Sequence, residues 1–361
     1  MRVSVGGRLY VKPPYAIPSM SAINAIPHNG FSLASTFSGC GGSCLGFRWA
    51  GFRTLWASEF IAAARDTYRL NHPDVPVDAR DIRTIPASEI LDVTGLAPGD
   101  LDVLEGSPPC ASFSTAGTRQ AGWGEVRKYS ETRQRTDDLF DEFARLVREL
   151  QPKVFVAENV LGLVRGAAKG YFLEILSGLR GCGYRVEAKG LEAQWLGVPQ
   201  TRGRLIFVGV REDIGSTPVF PKPGAWQYSI RDACPWVASP KVAPRIEPEA
   251  SMSGYAVGRE WRRLSVGESS ERYFSLVRSD PDKPCGTITQ SGGNGHSASV
   301  AHPYECRKFS IAELRRLCGF PDDFRLPGTY AQQYERLGRA VPPPMMRAIA
   351  ESIREGILCK L

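Results

Sequence analysis

Histidine is scarce in this chain. His28, His72, His296 and His302 are the only four in 361 residues, and they form no metal-ligand pattern. Cysteine is present but unpatterned: nine residues, odd in number and scattered, argue against a disulfide framework and against paired zinc knuckles. No apolar run reaches the length of a bilayer span. The N-terminal stretch has no signal-peptide core. No internal repeat is found. An excess of one charge is also nearly lacking, since 45 basic residues against 38 acidic ones leave +7. That balance suits a polyanionic partner without requiring one. These absences lead to the expectation of a monomer in a reducing cytoplasm, with no metal and no membrane.

What is present has the composition of an ordinary globular protein. The length suits one large domain with a smaller one. Residues 1–30 hold several Pro, Gly and Ser and are expected as an extension, loose or draped on the surface. Phe31 to Phe37 reads as a strand, running into the glycine-rich turn Ser38-Gly39-Cys40-Gly41-Gly42 and then a helix. A strand, a glycine turn and a helix N-terminus are how a nucleotide-like ligand is met, although a plain tight turn would look the same. Arg53 to Ser58 is a second strand, ending at Glu59, about 20 residues past the turn, where an acidic side chain can hold ribose hydroxyls. A helix-cap carboxylate is the bland alternative. Cys40 and Cys44 are read as reduced and structural.

The organising stretch is Gly106-Ser107-Pro108-Pro109-Cys110. The apolar run Leu101 to Leu104 predicts a short buried strand, and Gly106 with the two prolines forces a turn. Cys110 is thereby presented past the carboxyl end of a strand, where open α/β sheets place their chemistry. An isolated cysteine would more often be buried and structural. Residues 115–135 are polar and basic, with the length of a lid. A helix is predicted over 138–150. Lys153 to Ala157 reads as a buried strand delivering Glu158-Asn159-Val160 from its end. Arg202 and Arg204, two apart on an extended segment, face one side and could clamp an anion or make surface ion pairs. From about residue 213 the strand–helix alternation gives way to Pro, Gly, Trp and short strands. Ser310 and Glu313 form a capping box for a helix that Gly319 and Pro321 stop. A final amphipathic helix runs to about Leu358.

Taken together, these motifs resemble those of the cytosine-C5 DNA methyltransferases, and they occur in that family's order from Phe31 to about Arg354. They are the glycine turn Phe37 to Phe47, Glu59, Asp81-Ile82, the Pro-Pro-Cys turn, Glu158-Asn159-Val160, Gln200 to Arg204, the helix at Phe309 to Phe324, and Gly338 to Pro342. The resemblance implies an α/β, Rossmann-like catalytic domain over 31–212 plus 328–361, with a smaller, irregular target-recognition domain and hinge over 213–327. It implies S-adenosylmethionine as cofactor, double-stranded DNA as partner, and a place in a restriction-modification system. Carried over by motif, Phe37, Ser38, Gly39, Gly41, Gly42 and Leu45 shape the cofactor pocket. Glu59 holds the ribose, Phe60, Asp81 and Ile82 surround the adenine side, and Pro109, Arg339 and Val341 complete the lining. Cys110 is the nucleophile, Glu158 contacts N3 and the exocyclic amine of a flipped cytosine, and Arg202 and Arg204 support the site.

The chemistry agrees with these residue types. C5 of cytosine is too electron-poor to attack a methyl sulfonium until a nucleophile adds at C6, and a thiolate suits that addition. A carboxylic acid at N3 offsets the charge pushed into the ring. The reaction cannot occur inside the base stack, so the base must be extruded. Two positions depart from the family's pattern: Ala111 stands where Gln is usual, and Arg339 where Asn is usual. A cation near the cofactor's sulfonium is unexpected. It suggests three possibilities: Arg339 turned to a carboxylate or phosphate, an impaired DNA-binding relic, or a pocket for carboxy-S-adenosylmethionine and a carboxymethyl product. An RNA cytosine-C5 methyltransferase is a further alternative. The Cys-Phe-Thr that the RNA-modifying branch carries in its second domain is not found.

Overall fold

A computed structural model of the chain describes residues 2–5, 8–109, 127–129, 132–134, 136, 138–164, 168–239 and 244–361. The chain packs as two compact units. The larger comprises Ile26–Leu191, Gly203–Pro221 and Arg347–Leu361; the smaller comprises Met1–Ala25, Glu192–Arg202 and Lys222–Met346.

The larger unit is built on a seven-stranded sheet. In chain order its strands are β1 (Ser32–Thr36), β2 (Arg53–Ser58), β3 (Val77–Asp78), β4 (Val103–Gly106), β5 (Val154–Val160), β6 (Tyr184–Glu192) and β7 (Gly203–Arg211). Their order across the sheet is β6-β7-β5-β4-β1-β2-β3. Strands β3 to β5 run parallel through β2, β1 and β4, and β7 is antiparallel to β5. The helices are α1 (Gly42–Trp49), α2 (Ala62–Asn71), α3 (Ala87–Thr94), α4 (Leu139–Leu150) and α5 (Ala168–Arg180). The chain leaves β1 toward one edge of the sheet and β4 toward the other. Their carboxyl ends therefore meet at the topological switch point, where such sheets open a crevice.

Period-two alternation sorts the sheet residues by face. Ala34, Leu104, Phe155, Ala157, Leu205 and Phe207 form one core with Phe140, Phe143 and Val147 of α4 and Leu179 of α5. Each buried Leu, Val or Phe among them contributes about 1.5–3 kcal/mol. The opposite face carries Ser35, Glu105, Val156, Glu158 and Arg204, placed there by the same alternation and by the registers Ser35↔Glu105, Glu105↔Val156 and Ile206↔Glu158.

The strand boundaries correct two expectations. β4 begins at Val103 and runs through Glu105 to Gly106 instead of ending at Leu104. β5 continues to Val160, so Glu158 lies inside the strand and not beyond its end. The cause is the antiparallel partner: β7 pairs residue by residue as far as Arg204↔Val160 and holds this stretch extended. The lid expected over 115–135 falls largely outside the described residues. Its described part, Arg127–Tyr129 and Thr132–Gln134, pairs as an antiparallel ribbon.

The smaller unit has little regular structure, as its composition suggests. Met252, Val257, Trp261, Leu264, Leu276 and Ala301 form a small core, beside a short parallel pair, Val277–Arg278 with Val300–Ala301. Ser310 and Glu313 make the expected capping box for the helix Ile311–Leu317, and Gly319 follows at φ +77°. A second capping box, Thr329 with Gln332, starts the helix Tyr330–Arg339. The N-terminal residues are fastened to this unit: Tyr15 donates its hydroxyl to the Arg316 carbonyl at 2.7 Å, Met20 N–H donates to Asp323, and Ile23 is fully buried. No helix among the described residues is long and apolar enough to cross a membrane.

Candidate functional site

The glycine turn begins where β1 ends. Phe37, Gly39 and Gly41 have φ of +52°, +56° and +91°. Left-handed backbone costs a non-glycine residue about 1–2 kcal/mol, so Phe37 is held there by its surroundings. The restraints are visible. Ser38 N–H donates to the Ser58 carbonyl at 3.0 Å, and Gly41 N–H to the Ser38 carbonyl at 2.9 Å. Gly39 N–H donates to Glu59 Oε2 at 2.8 Å. Gly41 must be glycine on two counts: its φ, and the His72 and Tyr68 rings, against which a Cβ would collide. Burial pushes the His72 imidazole down to about 4, so it packs there as a neutral ring, its Nε2 3.2 Å from the Gly41 carbonyl. α1 starts at Gly42 with no side-chain cap, just past the carboxyl end of β1, and Leu45 is fully buried.

Glu59, 8 % exposed, spends one oxygen on Gly39 N–H and the other on Ile61 N–H at 2.6 Å. These two backbone donors fix the carboxylate at the end of β2. Phe60 beside it is 41 % exposed, unusual for a phenyl ring at a strand end. Asp81 accepts from Arg83 N–H and pairs with the Arg83 guanidinium at 2.9 Å. The Ile82 side chain is buried in the main core of the larger unit.

Two strands along, Glu158 and Arg204 face each other across the β5–β7 ladder. Arg204 Nε donates to Glu158 Oε1 at 2.7 Å, with both side chains nearly buried. Asn159 Nδ2 donates to the Pro108 carbonyl at 3.3 Å, which ties β5 to the turn that leads to Cys110. Cys110 and Ala111 lie outside the described residues, while Pro109 is half-buried.

Arg202 behaves differently from Arg204. It is 2 % exposed and belongs to the smaller unit, where its guanidinium donates to the carbonyls of Ile288 at 3.0 Å and Gly338 at 2.9 Å. It gathers main chain there, whereas Arg204 pairs with a carboxylate. Arg339 donates from Nε to Glu335 Oε1 at 2.9 Å, one turn back on its own helix, and Val341 is buried.

In the larger unit the structure thus groups Phe37, Ser38, Gly39, Gly41, Gly42, Leu45, Glu59 and Phe60 at the ends of β1 and β2, and Glu158 with Arg204 on β5 and β7. Sequence reasoning passed over two participants. In the sequence Asn159 stands out only as part of the Glu158-Asn159-Val160 motif. Glu105 carried a usable signal, a carboxylate ending an apolar strand directly before Gly106. Among the described residues, no group of three or more His, Cys, Asp or Glu could hold a metal ion.

Comparison with known proteins gives a consistent result. The family model described as C-5 cytosine-specific DNA methylase matches residues 31–233 and 239–355. The Type II methyltransferase M.NgoFVII of Neisseria gonorrhoeae is 32 % identical over 342 residues, covering 89 % of this chain and 86 % of that protein. The Type II methyltransferase M1.HphI of Haemophilus parahaemolyticus is 34 % identical over 334 residues, covering 88 % and 85 %. The crystal structure of an E. coli protein described as a DNA modification methyltransferase encoded within a prophage shares the fold. Its TM-score is 0.70 at 23 % identity, and the match covers 91 % of this chain and 99 % of that one.

Proposed function

The chain belongs to the C-5 cytosine-specific DNA methylase family and is a DNA cytosine-5 methyltransferase, and from that premise we propose how its own residues carry out the reaction. Cys110 is the nucleophile that adds to C6 of a cytosine extruded from double-stranded DNA. Glu158 meets N3 and the exocyclic amine of that base, with Arg204 fixing the carboxylate, and the Glu158–Arg204 pair is the observation that carries the reading. The cofactor is S-adenosylmethionine, which supplies a methyl group on a sulfonium.

The residues present fit that molecule. Glu59 presents a carboxylate fixed by two backbone donors at the position suited to a ribose diol, Phe60 offers an exposed aromatic face to a purine, and the positive-φ turn lets backbone approach closely. As the thiolate adds at C6, an electron pair moves into the ring toward N3, the edge that Glu158, held by Arg204, meets. C5 becomes nucleophilic and takes the methyl group, and the electron pair of the broken S–CH3 bond stays on the donor's sulfur as a neutral thioether. The C5 proton then leaves to a base, and the C6–S bond breaks to return the thiolate and restore the ring.

Arg339 does not favour a carboxylated donor. Its charge is matched by Glu335 at 2.9 Å, so gripping carboxy-S-adenosylmethionine would first require breaking that pair. We also assign the reading of DNA sequence to 213–327, the region of irregular structure, and place the enzyme beside a restriction endonuclease on the strength of relatives named Type II methyltransferases.

The test is trapping on DNA carrying 5-fluorocytosine, whose adduct lacks the C5 proton and cannot eliminate. Wild-type protein with S-adenosylmethionine is expected to give a denaturant-stable complex and Cys110→Ala none, although Cys110→Ala still binds DNA and cofactor. On ordinary DNA, wild type yields 5-methylcytosine at one sequence context. Near-normal product from Cys110→Ala would rule out the covalent route. Exchange of 213–305 with a relative should change the context and leave the chemistry; specificity tracking the first 200 residues would overturn the domain assignment.

A further inference from the structure

Glu105 has no part in the scheme above, yet its side chain lies at the junction of the two segments that scheme requires. It is 1 % exposed. Ser35 Oγ donates to Glu105 Oε2 at 2.7 Å. Ser43, in the first turn of α1, and Ser107, in the turn toward Pro109, also hydrogen-bond its carboxyl. Ser35 Oγ lies 2.8 Å from Ser38 Oγ, which extends the network into the glycine turn. The Glu105 carbonyl accepts from Thr36 Oγ1 at 3.2 Å, and a Cβ on the next residue, Gly106, would collide with that hydroxyl and with Phe143. One carboxyl therefore holds the end of β1, the start of α1 and the turn leading to Cys110.

Among the described residues, the charged and titratable groups that act on Glu105 or feel its charge include Glu158 from β5, Cys44 from α1 and Tyr68 from α2. Burial pushes the carboxyl up to about 7, against the opposing pull of the serine hydrogen bonds, and the charge of Glu158 adds to the rise. A purely structural polar link would more simply use a neutral amide or hydroxyl. An ionised carboxyl accepts from all three hydroxyls at once, whereas a protonated one must donate one of its bonds.

The reaction explains why such a link is useful. The thiol and the methyl donor act on C6 and C5, adjacent atoms of one ring. Their relative placement must hold to a fraction of an ångström, and a 1 Å error costs about a hundredfold in rate. Resting on the family reading above, we propose that Glu105 is a positioning residue that locks the cofactor turn to the turn delivering Cys110, so that one side chain registers methyl donor against nucleophile.

The experiment uses full-length protein, the variants Glu105→Gln and Ser107→Ala, their double, and S-adenosylhomocysteine as probe. Three quantities are read: its Kd by calorimetry, kcat for DNA methylation, and the rate of iodoacetamide alkylation of Cys110 with and without saturating probe. Peptide mass identifies the alkylated cysteine, and exposed Cys359 is the internal reference. In wild type, the probe should change the Cys110 rate at least threefold. Ser107→Ala and Glu105→Gln should bind the probe within about threefold of wild type, lose most of that change, and lose at least tenfold in kcat. The double variant should be no worse than the more damaging single, as expected for residues acting through one link. Ser107→Ala removes one half-buried hydroxyl and carries the test if Glu105→Gln does not fold. An unchanged wild-type rate on saturation, variants that keep the wild-type response, or kcat losses that multiply would each overturn the proposal. A wild-type protein that leaves DNA unmethylated would instead sink the proposed reaction, while the alkylation measurement still reports on the link.

Discussion

Replacing Glu105 by Gln should change how the stability of the larger unit depends on pH. The carboxyl stands at about 7 in the folded protein against an ordinary 4.5, and one pH unit of such displacement corresponds to 1.36 kcal/mol. The protonated form is therefore favoured by folding to the extent of about 3 kcal/mol. The sign follows from the raised value. The contribution is fully present below the unfolded value near 4.5 and is lost as pH rises through 7. Other carboxylates in the chain impose slopes of their own, but these are shared by wild type and variant and cancel in the difference. The difference in unfolding free energy, wild type minus Glu105→Gln, should thus fall by about 3 kcal/mol between pH 4.5 and 8, with most of the change below pH 7. In a unit of roughly 200 residues that amounts to a relative shift in midpoint temperature of about 6–12 °C. Thermal or urea unfolding followed by tryptophan fluorescence at half-unit pH steps measures it. Two curves that stay parallel across the whole range would show that the carboxyl titrates normally in its pocket, and the reasoning from burial would be wrong.

Arg204→Met strands the Glu158 carboxylate in a nearly buried site and should cost about 3–5 kcal/mol, with kcat falling at least a hundredfold. Arg204→Lys should recover part of both, and unfolding and turnover assays decide. Gly41→Ala combines a φ of +91° with a Cβ driven into His72 and Tyr68. It should weaken S-adenosylhomocysteine binding more than tenfold, and calorimetry showing unchanged affinity would contradict the packing described for the turn. Glu335→Gln removes the carboxylate paired with Arg339 and is expected to leave 5-methylcytosine as the product when both donors are supplied. Mass spectrometry finding 5-carboxymethylcytosine from the unmutated enzyme would revive the carboxylated donor.

What could be read from the sequence was local. The glycine turn, Glu59 and the Ser310–Glu313 capping box are each set by a few consecutive residues, and their geometry follows from φ preferences and hydrogen bonds within that span. The position of Glu158 inside β5 could not be read this way, because the strand is prolonged by a partner more than forty residues downstream. Arg202 shows the same limit. Its carbonyl partners stand 86 and 136 positions away, so the sequence placed it beside Arg204 while the fold gave the two different tasks. The helix Tyr330–Arg339 was available in principle, since Thr329 and Gln332 form a capping box. Glu105 was overlooked because a carboxylate among apolar residues marks a strand end as readily as a buried junction, and only the three serines around it tell the two apart.

The division of the chain into units also orders its synthesis. The larger unit draws on Arg347–Leu361, where Arg347 stacks on the Trp49 ring at 4.6 Å and Arg354 donates to the Ala50 carbonyl at 2.9 Å. Residues 26–191 therefore emerge from the ribosome long before the segment that covers the end of α1. The smaller unit waits as well, because its Arg202 is made well ahead of Ile288 and Gly338. Neither unit can close until these later segments have been made, and apolar surface around Trp49 stays open in the meantime. Loss of residues 347–361 would accordingly be felt first as poor soluble yield, through chains that collect on chaperones or aggregate, before any change in the DNA sequence modified.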